Sequence, residues 1–491
     1  MKIGKLWPVL LVPLLLAAAP IEAPSLEKQL AAAASLVDAN KTADALVLLD
    51  AMLAATDFPV ERGQIEGLRS FALARANRIP EARKAIETSV GSSPAPSLLL
   101  LRQLFLLRAF DGDPGGAGDT LLLIAATDAK GLDTLPTEVV SDVLRAARED
   151  KNRAFELDYA MVTAGWSPPD MTLADLDWLR MRLATALIER DRLGDAQPVV
   201  AAILSPVVLV RMGIDRRFAA LWPDIEARLG PGADIADAAY VAAAKARFDK
   251  APASLMARYG YAEALNIASR EPEALIVADV AKTPEALAAL TDREIWLVNL
   301  HAELLGDAGN ADAALARLAA LNATPMAGRP GMVGTIINEA LLAQSLGRPQ
   351  AALAIVDAAA EKMPAASEFG RMFMAQARTC ALMDLGRNPE ALAAAAPIIA
   401  KPGTNADAYL AAMICLGRLD AAATAIIKRL EDPADRTAML FTLQPFLLNP
   451  PRPLRDGKER AALRALKARP DVKAAYAKAG RDLPAAVAPP R

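Results

Sequence analysis

The chain has 491 residues, of which 54% are apolar but only 4% aromatic, so its core must be built from small, closely packed side chains. Alanine and leucine dominate over β-branched and aromatic residues, which favours helix and argues against a β-rich or doubly wound fold. A formal net charge of -3 excludes whole-chain electrostatic binding to nucleic acid.

Residues 1–23 have the three parts of a secretory signal. Lys2 and Lys5 supply a short positive region, Leu6 to Ala19 an apolar run, and Ala17, Ala18 and Ala19 small residues for cleavage. The run is too short to span a bilayer comfortably, and Pro8 and Pro13 interrupt it. The expected location is therefore periplasmic or secreted. The alternative is a membrane anchor formed by residues 6–19.

From residue 25 onward, apolar helices stop and restart in one recurring way. The turns fall at Asn40, Asn77, Asp191, Gly309, Gly347, Gly386 and Gly417. Glycine and asparagine belong there because a helix ends most easily through a left-handed residue. Five residues after each turn stands an alanine: Ala45, Ala82, Ala196, Ala314, Ala352, Ala391 and Ala422. A small residue at that offset lets two antiparallel helices approach closely. Gly112, Glu149 and Ser269 head weaker copies, and a further turn is expected between Leu229 and Ala239. Most steps between turns are 35 to 42 residues, a period that indicates a stacked helical array.

This pattern resembles the tetratricopeptide repeat. Small residues also stand seven before the turn, at Ala33, Ser70, Ala184, Ala262, Ala302, Ala340 and Thr379, and prolines close second helices at Pro94, Pro206, Pro325, Pro364 and Pro402. The step exceeds the family's period of roughly 34 residues, so most units carry longer helices or loops. The resemblance covers roughly residues 25 to 430. It implies an all-α fold: a right-handed α-solenoid of about eleven stacked antiparallel helical hairpins over residues 24–448. It also implies a scaffold that binds a protein or an extended peptide, in settings such as envelope assembly or polysaccharide export.

In that family the first helix of each hairpin lines the concave face. Carrying the register over gives Trp178, Glu189, Tyr259, Glu263, Asn266, Trp296, Asn299, Glu303, Gln344, Gln376 and Asp384 as binding candidates, with Gln64, Phe71, Arg75 and Arg102 in the first part of the chain. Amides suit an extended backbone, and carboxylates suit a basic or hydroxyl-rich guest. No catalytic residue, metal or cofactor is expected. The one histidine, His301, is the only base available to a Ser-His-Asp or Cys-His centre, and the cysteines form no zinc pattern. The glycines from Gly112 to Gly118 lack the lysine of a phosphate loop. The alternative is a cell-wall or sugar hydrolase using Glu189, Glu263 and Glu303. Cys380 and Cys415 fall in consecutive first helices about one helical turn out of register. Export would allow a disulfide between them, the other reading being two buried thiols.

After Asn449 three prolines end the repeats. Residues 449–491 hold 11 Lys/Arg against 4 Asp/Glu, so an acidic array ends in a basic segment. It reads as a capping helix, or as a contact for an anionic envelope surface.

Overall fold

A computed structural model of the chain describes residues 25–359, 366–445 and 457–488. The leader-like residues 1–23 lie outside them. The contacts divide the chain into two compact units, one ending at Pro169 and one starting at Asp170. Sequence periodicity drew no such division, because the repeat spacing runs on past the helix-stopping pair Pro168 and Pro169.

The first unit is four helical pairs: α1 (Leu26–Asp38) with α2 (Thr42–Ala55), α3 (Pro59–Arg75) with α4 (Ile79–Gly91), α5 (Leu98–Phe110) with α6 (Pro114–Thr127), and α7 (Thr137–Ala146) with α8 (Lys151–Thr163). The second unit opens with α9 (Leu173–Ile188) and α10 (Leu193–Ala201), then α11 (Pro206–Ile214) and α12 (Trp222–Leu229). A long additional helix follows, α13 (Asp234–Lys250). Next come α14 (Leu255–Ile267) with α15 (Glu271–Ala278), the short α16 (Pro284–Ala288), and α17 (Ile295–Asp307) with α18 (Ala311–Asn322). They are followed by α19 (Met332–Ser345) with α20 (Pro349–Ala359), α21 (Glu368–Asp384) with α22 (Asn388–Ala400), and α23 (Ala406–Cys415) with α24 (Leu419–Glu431). Three more helices close the chain: α25 (Arg436–Thr442), α26 (Gly457–Ala468) and α27 (Pro470–Ala479). Stacked hairpins of this kind make an all-α solenoid, since no single hairpin can bury its own apolar face.

The turns explain the repeat. Asn40, Asn77, Gly112, Asp191, Ser269, Gly309, Gly347, Gly386 and Gly417 all have φ between 55° and 84°. At each, the next amide reaches back to a carbonyl five residues earlier, as from Arg78 N to Leu73 O at 2.9 Å and from Arg387 N to Leu382 O at 2.9 Å. This bond satisfies a carbonyl that the helix end would otherwise leave open. The alanines five residues on, from Ala45 to Ala422, are fully buried, and so are Ala33, Ser70, Ala184, Ala262, Ala302, Ala340 and Thr379. The two small positions face each other's helix, so the pair packs closely.

Two expected turns differ. Glu149 is not left-handed; Asp150 instead caps α8, accepting from Asn152 N at 2.9 Å, and Ala154 is only half-buried. The residues sought between Leu229 and Ala239 are Gly230, Gly232 and Ala233, all with positive φ. They join α12 to the extra helix α13 rather than splitting a hairpin.

In the second unit the first helices α14, α17, α19, α21 and α23 touch one another in succession. That succession makes one continuous layer, with the second helices behind it. The array then meets its own beginning. α25 packs on α11, α27 packs on α24, and Asp215 and Gly480 form an isolated β-bridge. Arg481 N donates to Ile214 O at 2.9 Å, Arg481 Nε to Gly213 O at 2.9 Å, and Gly232 N to Ala486 O at 2.9 Å. Buried Asp215 is held by Arg217 at 2.8 Å and accepts from Thr437. The described part of the basic C-terminal segment is thus folded into the second unit.

Candidate functional site on the first helices of the second unit

Helical spacing sets the site. On α14, Tyr259, Glu263 and Asn266 stand at i, i+4 and i+7, and on the adjoining α17, Trp296, Asn299 and Glu303 stand at i, i+3 and i+7. The turns at Ser269 and Gly309 fix where each stripe ends. Asn299 is buried; its Nδ2 donates to Glu303 Oε1 at 3.0 Å, and its Oδ1 accepts from Asn338 Nδ2 of α19 at 2.9 Å. A polar ladder therefore crosses two helices of the layer. Trp296 packs over Gly334, where a Cβ would come within 3.0 Å of the indole.

The α14 stripe is not satisfied in this way. Glu263 Oε2, Asn266 Oδ1 and the hydroxyl of fully buried Tyr240 on α13 are all buried, and none has a hydrogen bond of ordinary geometry. Burial, with the charge of Asp175 adding to it, pushes the Glu263 carboxyl up to about 7; the nearby Tyr240 hydroxyl works in the opposite direction. Burial also drives the phenols of Tyr240 and Tyr259 far above their ordinary range, and the charge of Glu263 adds to both. Glu303 acts on Tyr259 as well, so the two carboxylates share one neighbourhood. Arg293 meets this acidic patch at Asp175, 3.1 Å away, while Asp175 and Thr172 cap α9.

The other candidates are dispersed. Trp178 lies under the Arg211 guanidinium at 4.9 Å, and Phe441 lies at 4.2 Å from the same group. Glu189 is exposed and paired with Arg217 at 3.1 Å. Gln344 and Gln376 are half-buried on α19 and α21. Asp384 is drawn to Lys458 of α26 at 2.9 Å. In the first unit Arg75 donates to Val37 O and Arg102 to Thr134 O, so both are engaged with backbone. Gln64 is exposed and Phe71 half-buried. Cys380 and Cys415 are disulfide-bonded, joining α21 to α23. His301 is buried outside the two stripes, and burial lowers its imidazole below the usual range. Among the described residues no three His, Cys, Asp or Glu side chains are grouped to hold a metal, and no helix is long and apolar enough to cross a membrane.

Sequence reasoning passed over Asn338, Tyr240, Asp175 and Arg293. The repeat register places apolar Ile337 on the exposed line of α19, whereas a helix face is wide enough to include its neighbour Asn338. Tyr240 sits on α13, which has no place in the repeat. Asp175 and Arg293 lie outside the hairpin turns, and their pairing spans 118 residues.

Comparison with solved structures finds helical-repeat proteins. The C-terminal part of a TPR repeat-containing protein from Cytophaga hutchinsonii is 15% identical over 62% of this chain and 99% of that one, with a TM-score of 0.26. A chain of the Naa15/Naa10 complex bound to HypK is 12% identical over 93% of this chain and 80% of its own, with a TM-score of 0.26. A chain of the APC/C hetero-tetramer Cut9–Hcn1 is 12% identical over 85% and 90%, with a TM-score of 0.28. No family model matches the chain, and no curated protein matches it. At scores of this size the fold assignment rests on the hairpins themselves. Their left-handed turns and buried small residues at fixed offsets make the repeats tetratricopeptide-like.

Proposed function

We propose that this chain is an exported scaffold that binds a protein or an extended peptide along the first helices of its second unit. One observation carries the reading: Glu263 Oε2 and Asn266 Oδ1 are buried acceptors on that face without a hydrogen bond of ordinary geometry, and only the Tyr240 hydroxyl lies near Glu263. Each such acceptor costs about 1–3 kcal/mol. A guest that brings N–H groups removes the cost. A peptide backbone supplies such donors, and a lysine or arginine side chain supplies them with the charge that the surrounding carboxylates favour. The Asn299–Asn338 ladder beside them offers further amide groups to an extended strand.

Export is supported by the leader-like residues 1–23 and fits a chain whose two cysteines are bonded. Envelope assembly or polysaccharide export is the setting we favour, and anchoring by residues 6–19 is the alternative. Crosslinking in cells tests the scaffold: a specific partner should be captured by the wild type and lost with Glu263→Ala and Asn266→Ala together. Repeated capture of nothing above background would remove the reading. Fractionation with and without Lys2 and Lys5 tests export. A hydrolase using Glu263 and Glu303 is the second reading, favoured by a carboxyl poised near neutrality. A turnover abolished by Glu263→Gln with guest binding intact would put it first.

A further inference from the structure

The facing sides of α26 and α27 border an open cleft of about 1100 Å³ with the end of α25. Arg460, Leu463, Arg464 and Lys467 line it at i, i+3, i+4 and i+7 of α26, and Lys473, Tyr476, Ala477 and Gly480 line it with the same spacing from α27. Arg216 and Arg481 complete a set of six cations, against two lining carboxylates, Glu459 and Asp482.

Some of this charge is already used. Lys467 pairs with Asp482, donates to Leu443 O at 2.9 Å and sits over the Tyr476 ring. Arg481 pairs with Glu226, and Arg216 donates to Ala477 O at 2.8 Å. Arg464 and Lys473, one from each wall, are exposed and have no carboxylate partner among the described residues. Elsewhere in the molecule an exposed turn arginine holds a carboxylate three residues on, as in Arg78–Glu81, Arg270–Glu273 and Arg387–Glu390. Like charges stacked at i+3 and i+4 on α26 repel one another. The fold sets that repulsion beside a concave, partly apolar surface formed by Phe441, Leu443 and Leu463, and a bound anion would relieve it.

We propose that this cleft binds a ligand carrying two or more phosphate or carboxylate groups. The volume is at or above the range of roughly 300–1,000 Å³ typical of small-molecule sites, so more than one anionic group fits. Arg464 and Lys473 grip the ligand from opposite walls, with Arg216 beside Ala477 at the mouth. The site is separate from the α14–α17 face, and the proposal does not rest on the scaffold reading.

The test uses the full chain. Binding of inorganic triphosphate is measured by titration calorimetry at 0.15 M salt, and vesicles of phosphatidylglycerol are compared with vesicles of phosphatidylcholine by flotation. The wild type should bind triphosphate, the anionic vesicles or both. Triphosphate alone identifies a free polyanion as the ligand, and anionic vesicles alone identify a lipid surface whose neighbouring headgroups together supply the phosphates. The double variant Arg464→Ser and Lys473→Ser should lose affinity at least tenfold while keeping the wild-type helical spectrum and melting temperature, since both residues are exposed. The control double variant Arg78→Ser and Arg387→Ser removes the same charge elsewhere and should bind as the wild type does. Absence of binding to both probes would overturn the proposal, and so would equal losses in the two double variants.

Discussion

Glu263→Gln tests the reasoning behind the site most directly. The Glu263 carboxyl titrates near 7 in the folded protein against an ordinary 4.5, because burial and the Asp175 charge disfavour its ionised form. The folded state therefore holds a proton that the unfolded state has lost between those two pH values. Stability falls as pH rises through this window and levels off above 7. A gap of this size corresponds to at most about 3 kcal/mol at pH 8, and relaxation around the site will reduce it to about 2. Glutamine keeps the shape and does not titrate. The variant should exceed the wild type by no more than about 1 kcal/mol at pH 5 and by about 2 kcal/mol at pH 8. Urea unfolding at pH 5, 6, 7 and 8 measures this through tryptophan fluorescence, since Trp178, Trp222 and Trp296 all lie in the second unit. A difference between variant and wild type that stays constant from pH 5 to 8 would refute the assignment of a buried, donor-poor carboxylate.

Other perturbations probe the framework. The Cys380–Cys415 bond closes 35 residues of chain, which in the loop-entropy picture stabilises the fold by about 4 kcal/mol; a reductant should lower the urea midpoint of the second unit by a corresponding amount, and the variant lacking both cysteines should not respond to it. Ser269 holds a left-handed conformation that costs a residue with a Cβ about 1 kcal/mol, so Ser269→Gly should stabilise, whereas Ala274→Leu at the fully buried contact should cost about 1–3 kcal/mol. At Gly480 a Cβ would lie 2.1 Å from Ile214 O, so Gly480→Ala should cost about 2 kcal/mol and make the last helices susceptible to limited proteolysis before the rest.

The hairpins were legible because their signal is local and repeats. A left-handed turn demands Gly, Asn or a tolerated substitute, and the closest approach of two helices demands a small residue five positions on, so nine turns reinforce one another. The same offset misled at Glu149 and Ala154, where alanine abundance supplied a match without a left-handed turn. The closure of the second unit left no such trace. It joins residues 213–226 to residues 437–481 through single pairs such as Arg217–Thr437 and Arg481–Glu226, separated by more than 200 positions. Arg481 reads in sequence as one more solvated cation of a basic tail. The candidate face was partly legible: helical spacing placed Tyr259, Glu263 and Asn266 on one stripe, but Tyr240 reaches Glu263 from a helix that the repeat does not contain.

That closure has a consequence for biosynthesis. Hairpins such as α3 with α4 need only their own neighbours and can form as the chain emerges from the ribosome or a translocon. α11 cannot be completed in that order. Its apolar side is covered by α25, and its last carbonyls are capped by Arg481, which is made 267 residues after Ile214. Through most of synthesis that surface stays uncovered and must be kept from aggregating, so premature termination anywhere after α12 leaves a greasy helix without its lid.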